Sequence, residues 1–483
     1  MSGARRGGRE AAALCLRAGV AMDASAGSAE NRFMGPPPIR PGDARARGAG
    51  RPDASAPESR ARRAEAARET RRADGPWPDE SQLLLLRLAL GGADVAGASL
   101  LRWRAAADPA GLDPASRRLL PLAFWNLERH GIPTPGLDVF KRAFAESWVR
   151  SHQILEGLSA VLDGLLSAGI PPILFKGAAL ALGTYPKAAL RPMVDVDVLV
   201  PHDAFEEAGR VLGRLGARPT SKDPEGRRAM LHGTEHLLEI GGRPLAVDLH
   251  RSALWECRRP GDDDSFRQEA VPVPGREDAR MLCSSDELLV VCVHGLRWSQ
   301  LRPVYWIADA MTLIRDERAP VDWERLVGEA RRRRLARPVA AALRFLAGAF
   351  DAPVPAPAIA ALESGAGRLR DRLELACRSR APQPLRGLFL HWCDHARVSG
   401  EGSALARLGT FPGYLRGMWA VGSFREVCAL AFRKALHGVG RAPDARFAAG
   451  PGDDRRARGG PPPAGRFSRR GARRRGRRPS SGS

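Results

Sequence analysis

Apolar residues recur at three- and four-residue intervals over 81–90, 98–107 and 116–130, and then over the long stretch 137–168. That spacing predicts a run of helices with one buried face each. Gly169-Ile170-Pro171-Pro172 closes the last of them, and the period then changes. Ile173-Leu174-Phe175 reads as a buried strand leading into Lys176-Gly177, with a short helix over 178–182. Asp195-Val196-Asp197-Val198-Leu199-Val200 is a second strand. Asp203 followed by Glu206 predicts an N-cap and an amphipathic helix to about residue 215. Two or three further short strands are expected between about 227 and 250, the last pair turning at Gly241-Gly242. Helical spacing returns from 285 to about 437, interrupted by proline-rich stretches at 352–357 and 382–384. The pattern predicts an α+β protein, in which a small mixed β-sheet core is embedded in predominantly helical N- and C-terminal parts.

Composition changes this picture at the two ends. Residues 1–78 hold 15 Arg against nine acids, and 441–483 hold 13 Arg against three, so 16 of the formal net charge of +22 lies outside the middle of the chain. Both ends are rich in Arg, Ala, Gly and Pro without apolar periodicity, which predicts disorder. The expected organisation is a disordered tail (1–78), a helical region (79–168), an α/β core (169–275), a helical domain (276–438) and a disordered basic tail (439–483). A basic tail argues for an anionic partner such as nucleic acid or membrane. Only five of the 76 basic residues are Lys, however, and Arg, Ala, Gly and Pro dominate throughout, as very G- and C-rich coding DNA would produce. The central part carries about +6, and the expectation is no membrane partner and a cytoplasmic location. The apolar stretch at 11–22 is interrupted by Arg17 and lacks a cleavage site, and no run of eighteen apolar residues occurs. Seven widely spaced cysteines read as reduced structural thiols.

Candidate chemistry centres on the two carboxylates of the second strand. Alternation along an extended strand puts Asp195 and Asp197 on one face and Val196, Val198 and Val200 on the other. Charges are seldom placed in such a run without a partner. A pair of carboxylates beside a glycine turn suits Mg²⁺ or Mn²⁺ combined with substrate phosphates. Asp248, in Leu245-Ala246-Val247-Asp248-Leu249-His250, supplies a third carboxylate, for which a structural salt bridge is the alternative.

A Lys-Gly turn, a strand bearing Asp-x-Asp and a third Asp on a later strand resemble the nucleotidyltransferase superfamily that includes DNA polymerase beta. Lys176-Gly177-Ala178-Ala179-Leu180, Tyr185-Pro186, Leu190-Arg191-Pro192-Met193 and Val247-Asp248-Leu249-His250 are similar to the bacterial family called uncharacterised nucleotidyltransferase. So are the helix 288–298 and Trp306-Ile307-Ala308-Asp309. The turn here lacks the superfamily's frequent serine and lies farther from Asp-x-Asp than is usual. The resemblance implies a transferase moving a nucleoside monophosphate from an NTP to a hydroxyl-type acceptor, a small molecule or a protein side chain. Asp195, Asp197 and Asp248 would be the catalytic, metal-holding residues. Lys176, Gly177 and Arg191 are the expected nucleotide contacts, with Arg191 bracing the carboxylates as the alternative. His250 and Tyr185 are candidate substrate contacts, set against simple packing. Two other classes stay open: a non-catalytic protein of the same fold in a binding, biosynthetic-accessory or antitoxin-like role, and RNA binding through the Arg-rich tails.

Other groupings are weaker. His232 and His236 have the spacing of zinc ligands on a helix, but Gly233 and the strand pattern oppose a helix there. His391-Trp392-Cys393-Asp394-His395 reads as a helix surface, Arg331–Arg334 as a solvated helix end, and His294 as a buried, hydrogen-bonded histidine, with a place lining the nucleotide cleft, as helical domains of the resembled enzymes do, as the alternative.

Overall fold

The computed structural model describes residues 75–437, apart from 109–110, 222, 300–303, 365–368 and 401–402. The disorder expected of the two tails therefore falls, except for 75–78, outside the described residues. Trp77, within that exception, is buried against Trp306 and Phe345, with ring centroids 6.2 and 4.5 Å away.

The N-terminal helices are α1 (Glu80–Leu90), α2 (Ala93–Ala106), α3 (Pro114–Arg117), α4 (Leu120–Arg129) and α5 (Asp138–Ser167). A capping box starts α1: Asp79 accepts the Gln82 N–H at 2.9 Å and Gln82 accepts the Asp79 N–H at 3.1 Å. Ser147 and Ser151, one helical turn apart on α5, donate to the carbonyls of Ala189 (2.7 Å) and Ala188 (3.3 Å). These bonds fix the short 3₁₀ turn Ala188–Leu190 that precedes the acidic strand.

The sheet consists of β1 (Ile173–Phe175), β2 (Asp195–Leu199), β3 (Arg218–Pro219), β4 (Gly233–Ile240), β5 (Arg243–His250), β6 (Val271–Val273) and β7 (Arg276–Met281) in the order β3-β4-β5-β2-β1-β7-β6. β2 runs parallel to β5 and β1 parallel to β7, while the other neighbours are antiparallel. The sheet is thus mixed, as expected. It also extends through β7, past residue 275. The helix α6 (Lys176–Gly183) follows β1, and α7 (Phe205–Arg214) follows β2. The expected cap at Asp203 is not formed. A turn in which Ala204 N–H bonds the Pro201 carbonyl (3.1 Å) brings the chain into α7 at Ala204, and Glu206 pairs with Arg251 instead.

Each face of the sheet has its own core. Leu174, Val196, Val198, Val247 and Leu249 pack beneath α5 and α7. Phe175 and Leu199 face the larger, helical core. That core joins α1, α2 and α4 with α10 (Ser284–Gly295), α11 (Tyr305–Ile314), α12 (Trp323–Arg332), α13 (Ala336–Phe350) and α14 (Ala356–Ser364), which come after the short α8 (Glu225–Arg228) and α9 (Asp264–Gln268). Gly295 lets α10 and α11 meet, since a Cβ there would lie 2.1 Å from Trp306 Cγ. The chain continues through α15 (Leu369–Arg378), α16 (Pro384–Val398), α17 (Ala404–Trp419) and α18 (Phe424–His437).

Two surface readings are corrected here. On α16, Asp394 and His395 are buried, and Asp394 accepts the indole N–H of Trp255 at 2.8 Å and pairs with Arg378. At α12's C-terminal side, Arg331, Arg332 and Arg334 are exposed as expected, but Arg333 is buried over the Phe266 ring between Asp263 and Glu329. An arginine can be covered this way because its flat guanidinium stacks on an aromatic face while its donors reach acids in the same plane. No helix among the described residues is long and apolar enough to cross a membrane. The six described cysteines are free thiols.

Candidate active site

The parallel pairing of β2 with β5 sets Asp197 directly beside Asp248, and the antiparallel pairing of β5 with β4 sets Glu235 beside Asp248 in turn. Paired residues on adjacent strands project to the same face, so the three acids form a row across the sheet. On the other side of Asp197, Phe175 holds the next place. Val196 and Val198 point into the core below, as their alternation requires.

Asp197 is buried and doubly held. Its Oδ1 accepts the Lys176 ammonium at 2.8 Å and lies 3.0 Å from His250 Nε2. Burial would raise its pKa, but the Lys176 charge and the His250 bond outweigh that and hold it well below the usual carboxylate range. Asp248 is in the opposite position. It is half-buried, with no hydrogen bond or ion pair among the described residues. Burial first, then the charges of Asp197 and Asp195, push its pKa up to about 8. His250 is 4% exposed, and burial lowers its pKa.

Ligand atoms of Asp197, Asp248 and His250 all lie within 4.8 Å of one another. Asp195 sits two residues along the same strand face, and its charge acts on Asp248 and His250, but its carboxylate stands outside that 4.8 Å group. The donor set fits a divalent cation. Carboxylate oxygens suit Mg²⁺ and Mn²⁺, and imidazole is the donor that late transition metals prefer. Asp248, half-buried beside another carboxylate without a cation of its own, is the specific deficit of positive charge that such an ion would fill.

The turn after β1 delivers Lys176. Its φ is +53°, the left-handed region that costs a side-chain-bearing residue roughly 1–2 kcal/mol. The conformation is fixed from outside the turn: the Lys176 N–H donates to Glu287 Oε1 on α10 at 2.6 Å. Glu287 is 2% exposed, and its Oε2 has no partner. Burial pushes its pKa up to about 8 despite the Lys176 bond. Gly177 leaves room for its neighbour, since a Cβ there would come within 3.2 Å of Arg191 Nη1.

Arg191 and Tyr185 lie one layer behind. Both forks of Arg191 go to Asp309 on α11 (Nε–Oδ1 3.2 Å, Nη2–Oδ2 2.9 Å), and Tyr185 donates to the same Oδ1 at 2.8 Å. Both side chains are buried, and the Arg191 guanidinium stacks 4.9 Å from the Tyr305 ring. The structure thus groups Lys176, Asp197, Asp248 and His250 directly, with Gly177 and Asp195 beside them, and commits Arg191 and Tyr185 to Asp309. Neither Glu287 nor Asp309 was given a role by sequence reasoning. The available signal was the one that exposed Asp195: an acid inside an apolar run, here Ser-Asp-Glu-Leu-Leu-Val-Val and Trp-Ile-Ala-Asp-Ala-Met. His232 precedes β4, so it and His236 share no helix. His294 has a solvent-exposed side chain, yet it is enclosed enough for burial to push its pKa down to about 3, and the charges of Lys176 and Asp197 act on it, so it borders the site rather than the core.

Residues 115–351 match a family described as uncharacterised nucleotidyltransferase. No curated protein matches the chain. A similar solved structure is the solution structure of the antibiotic-resistance factor ANT(2'')-Ia. It is 16% identical over 37% of this chain and 92% of its own, with a TM-score of 0.26, too low to support any argument. Over residues 115–351, the segment that holds the sheet, its acidic row and the helices bracing the Lys-Gly turn, the chain matches the uncharacterised nucleotidyltransferase family.

Proposed function

We propose that the protein transfers a nucleoside monophosphate from an NTP to a hydroxyl group of an acceptor, with Asp195, Asp197 and Asp248 holding Mg²⁺ or Mn²⁺. The observation that carries this reading is the register Asp197↔Asp248 on adjacent parallel strands, with the Lys176 ammonium already on Asp197. When bound, the ion would supply charge neutralisation at the α-phosphoryl group and the departing pyrophosphate, and would lower the pKa of the acceptor hydroxyl. The chain's own residues do the rest. Lys176 is a point charge on a flexible stem, able to exchange the Asp197 carboxylate for a phosphate oxygen. Asp248, which a bound cation would hold as the carboxylate, would accept the proton of the hydroxyl. His250 orients Asp197. Asp309 holds Arg191 against Gly177 and so keeps the turn in shape.

An acceptor that is a small molecule or a protein side chain agrees with the modest +6 of the central chain, which offers little field for a polyanion. An NTP substrate agrees with a cytoplasmic location. The test is Mg²⁺- or Mn²⁺-dependent transfer of label from α-labelled NTPs into a cell extract, with wild-type protein beside Asp197→Ala. Transfer by the wild type alone supports the proposal and yields the acceptor by its mass. NTP binding without transfer would replace it with the non-catalytic reading, and absence of both would overturn it.

A further inference from the structure

Arg118 stands out as a cation whose donors exceed its acceptors. It is the residue that ends α3, and α3 is fixed at its start by Asp113, which accepts the N–H groups of Ala115 (2.9 Å) and Ser116 (3.1 Å). From there the side chain reaches 74 positions along the chain, and Nη2 donates to the Pro192 carbonyl at 3.1 Å. Arg191 Nη1 approaches the same oxygen at 3.5 Å. The two guanidinium groups also share the Tyr305 ring, with Cζ 5.3 Å from its centroid for Arg118 and 4.9 Å for Arg191. Pro192 lies three residues before Asp195, and Arg191 abuts Gly177, so this basic pair borders the acidic row and the Lys-Gly turn.

The two arginines differ in what satisfies them. Arg191 has a bidentate carboxylate partner in Asp309. Arg118 has none among the described residues, and its buried Nε has no hydrogen-bond partner. A guanidinium carries five N–H donors in a fixed fork suited to planar carboxylate or phosphate oxygens. One carbonyl shared with a second guanidinium leaves that capacity largely unused. Two like charges held near one carbonyl favour an anion between or beside them.

We infer that Arg118, together with Lys176, holds the triphosphate of the nucleotide, a contact for which sequence reasoning offered Arg191, with bracing of the carboxylates as the alternative. The identity of the ligand rests on the nucleotidyl-transfer reading; the need for an anion rests on the donors alone. Arg191 then acts behind it, keeping Tyr305 and the Pro192 carbonyl in place through Asp309. The phosphate chain would run from the acidic row past Pro192 to the end of α3, joining the N-terminal helices to the site.

The test measures binding of inorganic tripolyphosphate, of the four NTPs and of the four nucleoside monophosphates, each with Mg²⁺, to full-length wild type, Arg118→Gln and Arg118→Lys. Arg118→Gln should weaken tripolyphosphate and NTP binding about tenfold or more, since hydrogen bonds to charged groups are worth that much. Arg118→Lys should fall between, and monophosphate affinity should stay within about twofold, which a general loss of structure would not allow. If Arg118→Gln does not fold, the lysine variant decides by the same comparison. Unchanged NTP affinity in the variants would overturn the role of Arg118 and leave the transferase reading intact. Failure of the wild type to bind tripolyphosphate would also overturn it. A wild type that binds tripolyphosphate through Arg118 but never transfers label would support the anion site and end the transferase reading.

Discussion

Asp248→Asn should stabilise the folded protein while abolishing transfer. The carboxylate is half-buried beside Asp197 and near Asp195, without a cation of its own, and its pKa stands at about 8 in the folded chain. The ordinary value is 3.8, so between about pH 4 and pH 8 the unfolded chain has lost a proton that the folded chain retains. The folded state then binds more protons, and stability falls as pH rises through that window. At pH 7 the interval above the ordinary value is about three units, a ceiling of about 4 kcal/mol. Water reaches a half-buried group and screens it, which reduces the expected cost to about 1–2 kcal/mol. Asparagine has the same shape and no charge, so it removes this cost. Thermal melting should show the variant higher by about 2–4 °C at pH 7. The difference should shrink toward pH 5 and grow toward pH 8. Mn²⁺ should raise the melting temperature of the wild type and leave the variant unmoved, because the ion's gain depends on the carboxylate. A variant that melts lower than wild type at pH 7, or a difference that widens toward acid pH, would refute the electrostatic account of the site.

Glu287→Ala removes the acceptor of the Lys176 N–H and should cost about 1–3 kcal/mol, the penalty for a buried unpaired donor. Glu287→Gln keeps an acceptor and should restore both stability and NTP affinity; equal behaviour of the two variants in denaturant titration and NTP binding would show that the bond does not shape the turn. Gly295→Ala should destabilise by about 3 kcal/mol or more in denaturant unfolding, because the new methyl overlaps Trp306 and backbone must move; a loss below about 1 kcal/mol would mean α10 and α11 are not packed as described. Glu256 is buried, and although burial raises its pKa, Arg297 at 2.5 Å and Arg378 at 3.6 Å hold it at about 2. Its contribution is present above about pH 4.5 and is lost as pH falls toward 2, so Glu256→Gln should flatten the acid limb of stability against pH, and parallel limbs would rule the pairing out.

Legibility in the sequence followed the range of the interaction involved. Helices and strands announce themselves through neighbours one to four positions away, and the α+β architecture and the acidic strand were readable for that reason. So was the grouping of Asp197 with Asp248, because each acid sits in an apolar run that only a buried strand explains. What the period could not supply was the partner. Lys176 and Glu287 are 111 positions apart, Arg191 and Asp309 118, Arg118 and Pro192 74, and no local spacing encodes those meetings. The left-handed backbone at Lys176 is another case, since its cause lies on α10 and not in the turn. Asp203 shows the converse error, a local cap signal overruled when the chain entered α7 through a Pro201–Ala204 turn. Arg191 shows the subtlest: the sequence left phosphate contact and bracing both open, and what separates them is whether a carboxylate already holds the guanidinium. Asp309 holds Arg191 and nothing comparable holds Arg118, so the phosphate contact moves to the arginine whose place in the sequence gave no hint of the site.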